Sequence, residues 1–336
     1  MLLATERRTG SEIHVNINRP RAIGVFGKRG SGKTTTLTRI AQAAADLGHL
    51  VIIVDPLSAI RPAGHRRVFL GEPDPGNARL WLNPPDLSPD AWLALFDLKP
   101  SDPMGIALFR AVLNLTEAGE WWGIQDLAGE LAADELAADK TIQALQNRLH
   151  LARLWGIFAE EETDTVAVFE PGQVNVLDVG RWEPGPTGLR NLAVRLLADR
   201  LFAYRLDAWR SGSDAPPALL AVDEAHNFAP ANLAALARPA LVRWAKEGRQ
   251  PAANLLVATQ QPSALTFDLV SQCDLTIIHH LSLQDDIKTT QRLAALYAQD
   301  LTAWLKGVNR PGEAIILDDI AERAYVGQVI FEEVRA

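Results

Sequence analysis

The sequence predicts an α/β protein built on a mostly parallel sheet. Short apolar runs recur and end in glycine or an acid: Ala22–Phe26, Leu50–Val54 and Ala218–Val222. A glycine-rich loop joins the first run to a helical pattern over Lys33–Leu47, which Gly48 stops. The chain has 336 residues, 48% of them hydrophobic, enough to bury such a sheet beneath flanking helices.

Taken in order, Ile13–Asn18 alternates apolar and polar residues, as a short strand does. Ala22–Phe26, the loop, Lys33–Leu47 and Leu50–Val54 make a strand–loop–helix–strand unit ending at Asp55-Pro56. Residues 57–84 read as irregular, with a strand at Val68–Leu70. From Ser88 to about Leu154 the pattern is helical, broken by Pro89, Pro100 and Pro103. Strand character returns at Val174–Val179, and a long amphipathic helix follows over Leu189–Trp209. After Ala218–Val222 come a helix at Arg238–Glu247, strands at Asn254–Thr259 and Leu275–His279, and a helix at Asp285–Leu296. Ala314–Leu317 and Tyr325–Phe331 read as closing strands. This divides the chain into a first core part at 1–84, a helical insertion at 85–165 and a second core part at 166–336.

Acidic residues outnumber basic ones, 41 to 33, for a formal charge of -8. Nucleic-acid contact would therefore need a local basic patch or a lined channel. Cys273 is the single cysteine, so no disulfide can form within the chain and a cytoplasmic location is expected. The start of the chain does not read as a signal peptide, and no apolar run is long enough to span a bilayer.

Gly27-Lys28-Arg29-Gly30-Ser31-Gly32-Lys33-Thr34 fits G-x-x-x-x-G-K-[ST]. Chance would produce this pattern in roughly one chain of this length in a hundred. Here it also follows an apolar strand and opens a helix. The glycines let backbone N–H groups turn inward on phosphates, and the helix start adds positive potential. Lys33 is expected on the β- and γ-phosphates, Thr34 on Mg²⁺, and Thr35 beside them. ATP and Mg²⁺ are the implied ligands.

Leu219–Val222 runs into Asp223-Glu224. An acid at the strand tip can hold the magnesium shell, and a second carboxylate can take a proton from an attacking water. Asp223 is assigned the first role and Glu224 the second. No guanine-reading N-K-x-D motif and no L-S-G-G-Q motif is present. A small-molecule kinase needs no water-activating glutamate, so Glu224 speaks against that class.

Four stretches together resemble the HerA/FtsK superfamily of RecA-like motor ATPases, nearest to the HerA branch. They are Arg19–Thr34, Ala221–His226, Glu247-Gly248-Arg249 and Ala258–Ser263. The resemblance covers residues 13–57 and about 170–330. It implies a RecA-like P-loop NTPase fold of the ASCE class, with the middle block as a helical insertion. It implies that Gln260 senses the γ-phosphate and orients water, and that Arg249 is an arginine finger acting on a neighbouring subunit. It implies that Arg21 contacts nucleotide. It also implies a homohexameric ring that translocates double-stranded DNA, with a nuclease or another protein as possible partner. Two departures stand out. The branch usually carries a β-barrel before the motor, and about 20 residues precede it here, so the barrel is expected to be missing. Asp274–Leu281 ends in His279-His280 where relatives often have an arginine; packing or interface is expected of this pair rather than metal binding.

DNA phosphates need projecting Lys or Arg. Arg61, His65, Arg66 and Arg67, set among proline and glycine after the second core strand, are the expected contacts. The nine tryptophans are scattered and read as packing anchors, not base-stacking platforms. The expected activity is ATP-driven translocation on double-stranded DNA. The alternative is an ATP-dependent switch or scaffold that assembles with a protein partner.

Overall fold

A computed structural model describes residues 1–71, 76–183, 185, 187–293 and 301–330. The strands are β1 (Leu2–Glu6), β2 (Glu12–His14), β3 (Ala22–Phe26), β4 (Leu50–Asp55), β5 (Arg66–Leu70), β6 (Ala78–Leu80), β7 (Val174–Asp178), β8 (Ala218–Val222), β9 (Ala253–Thr259), β10 (Leu275–Ile278), β11 (Glu313–Asp318) and β12 (Arg323–Val329). They form one sheet in the order β2-β1-β12-β11-β10-β3-β9-β8-β4-β7-β5-β6. From β10 to β6 every neighbouring pair is parallel. From β10 to β2 every pair is antiparallel.

The helices are α1 (Lys33–Asp46), α2 (Pro89–Leu95), α3 (Pro103–Ala118), α4 (Ile124–Ala132), α5 (Asp139–Leu154), α6 (Leu189–Ser211), α7 (Arg238–Glu247), α8 (Phe267–Val270), α9 (Gln284–Leu293) and α10 (Leu301–Lys306). The central strands are buried on both faces, which is why they read as continuous apolar runs. Along β4 the faces alternate. Ile52 and Val54 join the core formed with α2–α7, whereas Val51 and Ile53 join the core formed with α1, beside Leu37 and Ile40. In the first core Trp92 stacks on Phe158 at 5.6 Å between ring centroids, and Trp244 meets Phe202 edge-on at 5.9 Å. These indoles are packing anchors.

Helices α2–α5 occupy 89–154, between β6 and β7. Two short strands differ from the sequence reading. The opening residues form β1, which pairs with β12 and β2, and β6 lies within the stretch read as irregular. The last residues of the expected helix over Asp285–Leu296, and Phe331 of the last expected strand, lie outside the described residues.

The parallel register aligns the strand ends. Phe26 pairs with Thr259 and with Ile278, Val54 with Val222, and Asp55 with Asp178. The loops after β3, β4, β7, β8, β9 and β10 therefore open on one edge of the sheet, the edge where open α/β sheets bind ligands.

Candidate nucleotide site

The loop 27–32 leaves β3 at the centre of that edge and enters α1 at Lys33. Its backbone is held by its neighbours. Gly27 N donates to Thr259 O at 3.3 Å, Lys28 N to His280 O at 2.8 Å, and Gly312 N to Ser31 O at 2.8 Å. A Cβ on Gly27 would lie 2.6 Å from both the His279 Cβ and the Ser31 Oγ, so only glycine fits there. Gly32, with φ 113°, makes the left-handed turn into α1. Lys28, Arg29, Gly30, Thr34 and Thr35 are exposed along the rim.

Lys33 is buried, and its Nζ donates to the Lys28 carbonyl at 3.2 Å. Burial lowers its pKa, opposed by the charges of Glu224 and Asp223. Burial first, and then the Glu224 charge, push the Asp223 carboxyl up to about 6. A backbone hydrogen bond from Glu224 N to Asp223 Oδ1, 2.9 Å, opposes that rise. Glu224 adopts a left-handed backbone, φ 45°, which is uncommon outside glycine and frequent at functional sites. Gln260, just past β9, donates its Nε2 proton to Glu224 Oε1 at 2.5 Å. Glu224 Oε2 is buried and has no hydrogen-bond partner. Loop, lysine, two carboxylates and glutamine thus meet at the ends of β3, β8 and β9. Donors that suit a polyphosphate face acceptors that suit a water or a divalent cation.

Other expected residues lie elsewhere. Arg249 is exposed in the turn before β9, where Ala253 N donates to Gly248 O at 2.9 Å. Six residue steps of β9 separate that turn from Thr259, about 20 Å of extended chain. Arg21 precedes β3, also on the far edge. It is buried, with Nη1 on Asp318 Oδ1 at 2.9 Å, Nη2 on Asp318 Oδ2 at 3.3 Å and Nε on Asn16 O at 2.8 Å. That bidentate clamp joins β3 to β11, and Arg21 does not reach the phosphate loop of its own chain.

The basic cluster also splits. Arg66 and Arg67 open strand β5 instead of lying in a loop. Arg67 is buried, with Nη2 3.1 Å from Asp55 Oδ2 and 2.8 Å from Asp178 Oδ2, and Nη1 donating to Ile60 O at 2.9 Å. Two strand-end carboxylates neutralise it, and it offers nothing to DNA. Arg66 pairs with Glu170 at 2.5 Å, and His65 Nδ1 lies 2.5 Å from Pro62 O. Arg61 Nη1 lies 4.0 Å from Asp55 Oδ2, but its side chain is 55% exposed, against 34% for Arg66, which makes it the more accessible of the two.

Three residues of this edge carry roles that sequence reading missed, and a fourth, His279, was expected to pack but without its partners. Asp55 and Asp178 end apolar strands just as Asp223 follows one, and that pattern was the available signal. His279, fully buried, lies 2.9 Å from Thr36 Oγ1 through Nε2 and 2.9 Å from Glu313 O through Nδ1. His226 Nδ1 lies 2.9 Å from Thr259 Oγ1. His279 therefore packs behind the loop, and His280 Nδ1 lies 2.8 Å from Val308 O; no cluster of three or more His, Cys, Asp or Glu side chains placed to hold a metal ion occurs among the described residues.

A family model described as the central domain of the helicase HerA matches residues 3–201, more than half of the chain. The chain belongs to the HerA family. The double-strand break repair helicase HerA of Saccharolobus solfataricus is 24% identical over 334 residues, covering 93% of this chain and 64% of that protein. A probable helicase of Methanocaldococcus jannaschii is 36% identical over 103 residues, 31% of this chain and 20% of that protein. The chain thus spans less than two thirds of these curated relatives. The solved structure of VirB4 of Thermoanaerobacter pseudethanolicus superposes with a TM-score of 0.67 at 16% identity, covering 99% of this chain and 97% of that one. The plasmid coupling protein TrwB, solved with an ATP analogue, superposes at 0.57 and 14% identity, covering 94% and 86%. The HerA-family chain therefore has the RecA-like P-loop ATPase fold. No helix among the described residues is long and apolar enough to cross a membrane.

Proposed function

We propose that this HerA-family chain is a cytoplasmic Mg²⁺-ATP-driven motor that moves along double-stranded DNA as a homohexameric ring, hydrolysing ATP at subunit interfaces. The convergence of Lys33, Asp223, Glu224 and Gln260 on one sheet edge, with one buried Glu224 oxygen unpartnered, is the observation that supports it most. The loop N–H groups and the start of α1 would bind the phosphates. Lys33, now on a backbone carbonyl, would exchange it for a phosphate oxygen. Glu224 Oε2 is free to accept the proton of a water attacking the γ-phosphorus, which releases ADP and phosphate. Thr34 and Asp223 would supply the oxygen ligands that magnesium takes, and the ion would neutralise charge on the phosphates. Arg249 would come from the neighbouring subunit, and Arg61 would touch DNA. A nuclease or another protein would be a further partner of such a ring.

The burial of Arg67, with the charge of -8, favours a second reading, an ATP-dependent switch that assembles with a protein and not with DNA. ATP hydrolysis with and without linear double-stranded DNA at low salt, where phosphate contacts are strongest, separates the two. The motor reading expects a several-fold rise with DNA and no hydrolysis by Glu224→Gln, which still binds ATP. A rate indifferent to DNA would leave the switch as the better account. Retained hydrolysis in Glu224→Gln would remove Glu224 from its role.

A further inference from the structure

One polar group at this edge has no place in the scheme so far. His226 sits two residues beyond Glu224, in the short turn Ala225–Asn227. Its Nδ1 is 2.9 Å from Thr259 Oγ1 and 3.5 Å from Glu224 Oε2. Thr259 is the last residue of β9, is fully buried, and its Oγ1 also accepts from Gln261 N at 3.0 Å. Gln260, between them in sequence, holds the other Glu224 oxygen.

We propose that His226 is a positioning residue that ties the Glu224 carboxylate to the end of β9, so that Glu224 and Gln260 are placed by the same strand end. This rests on the hydrolytic reading of the site. The Nδ1 contact with Thr259 Oγ1 is the hydrogen bond, whereas Glu224 Oε2, at 3.5 Å, is an electrostatic neighbour that accepts none. The tautomer with its proton on Nδ1 donates to Thr259 Oγ1 and presents that N–H to the Glu224 charge. Burial holds the ring neutral, against the pull of the Glu224 and Asp286 charges. Asp286 also fixes the segment beyond Gln261, accepting from Ser263 N at 3.0 Å and Ser263 Oγ at 2.7 Å. The strand end is therefore held on both sides of Gln260. A displacement of Gln260 toward a phosphate moves Thr259, and through Nδ1 it moves the donor beside Glu224. Such placement matters because an error of about 1 Å in a reacting group can cost up to a hundredfold in rate.

Steady-state ATP hydrolysis by the full chain tests this in His226→Ala, His226→Asn, Thr259→Val and the double variant His226→Ala/Thr259→Val. His226→Ala should lower kcat about tenfold or more, with KM for ATP within about twofold, because ground-state binding by the loop is untouched. His226→Asn, whose amide can donate from near the Nδ1 position, should recover most of that loss. Thr259→Val should lower kcat in the same direction, and the double variant should be little worse than either single one, since both break one link. Unchanged kcat in His226→Ala, multiplicative losses in the double variant, or an asparagine no better than alanine would each overturn the proposal while the hydrolytic reading stands. A wild type that binds ATP and never hydrolyses it would overturn both.

Discussion

Behind the phosphate loop, a neutral histidine does the work of an internal strut. His279 bridges Thr36 of α1 and the Glu313 carbonyl of β11, and its main chain follows the end of β10. Burial depresses its pKa from 6.5 to about 4. The unfolded chain takes up a proton near pH 6.5 while the folded chain does not, so the unfolded state binds more protons between those values. The stabilisation is full above pH 6.5 and is lost as the pH falls toward 4, by about 3 kcal/mol at most. Urea denaturation of the wild type and His279→Gln from pH 4 to 8 checks this. The wild type should lose stability on acidification more steeply than the variant, and parallel curves would refute it. The residue scale is where the sequence was least legible. Lys33, Asp223 and Glu224 stand in a pattern with a chemical meaning. His279 and His226 acquire theirs from partners 243 and 33 residues away, which spacing does not reveal.

At the scale of elements, the strands that carry the site were legible because each is a buried run ending at a functional loop. Ala22–Phe26 and Ala218–Val222 match the expected bounds, as does the helix Arg238–Glu247. β1 and β6 were not legible, because five and three residues at or near the sheet ends carry too little pattern. The basic segment shows the same limit from the other side. Its charge was visible, but the acids that neutralise Arg67 end two other strands. That arrangement predicts opposite outcomes for two arginines six residues apart. Arg67→Ala would strand Asp55 and Asp178 as buried carboxylates and cost about 3 kcal/mol or more in a denaturant titration. Arg61→Ala would stay within about 0.5 kcal/mol of wild type while weakening the stimulation of hydrolysis by DNA. A loss below about 1 kcal/mol for Arg67→Ala would mean that its ion pairs with Asp55 and Asp178 do not hold β5 to the ends of β4 and β7.

The whole molecule poses a question that no single chain answers. Glu224 and Gln260 lie at one edge of the sheet, while Arg249 is exposed at the other, about 20 Å away along β9 and beyond an arginine's reach. If Arg249 stabilises transition-state charge, it does so on another copy, through a heterologous contact of the kind that closes into rings. Complementation makes this measurable. Arg249→Ala and Glu224→Gln should each hydrolyse ATP poorly alone. Co-expressed with separable tags and purified as mixed assemblies, they should regain activity. An interface with Glu224 from the Arg249→Ala subunit and Arg249 from the Glu224→Gln subunit has both groups intact. Random one-to-one mixing yields about a quarter of such interfaces, which sets the ceiling when sites fire independently. Coordinated firing would lower the yield but not abolish it. Mixed assemblies no more active than the two parents would show that Arg249 completes no neighbouring site, because an arginine fixed at the far edge has no other route to the reacting phosphate.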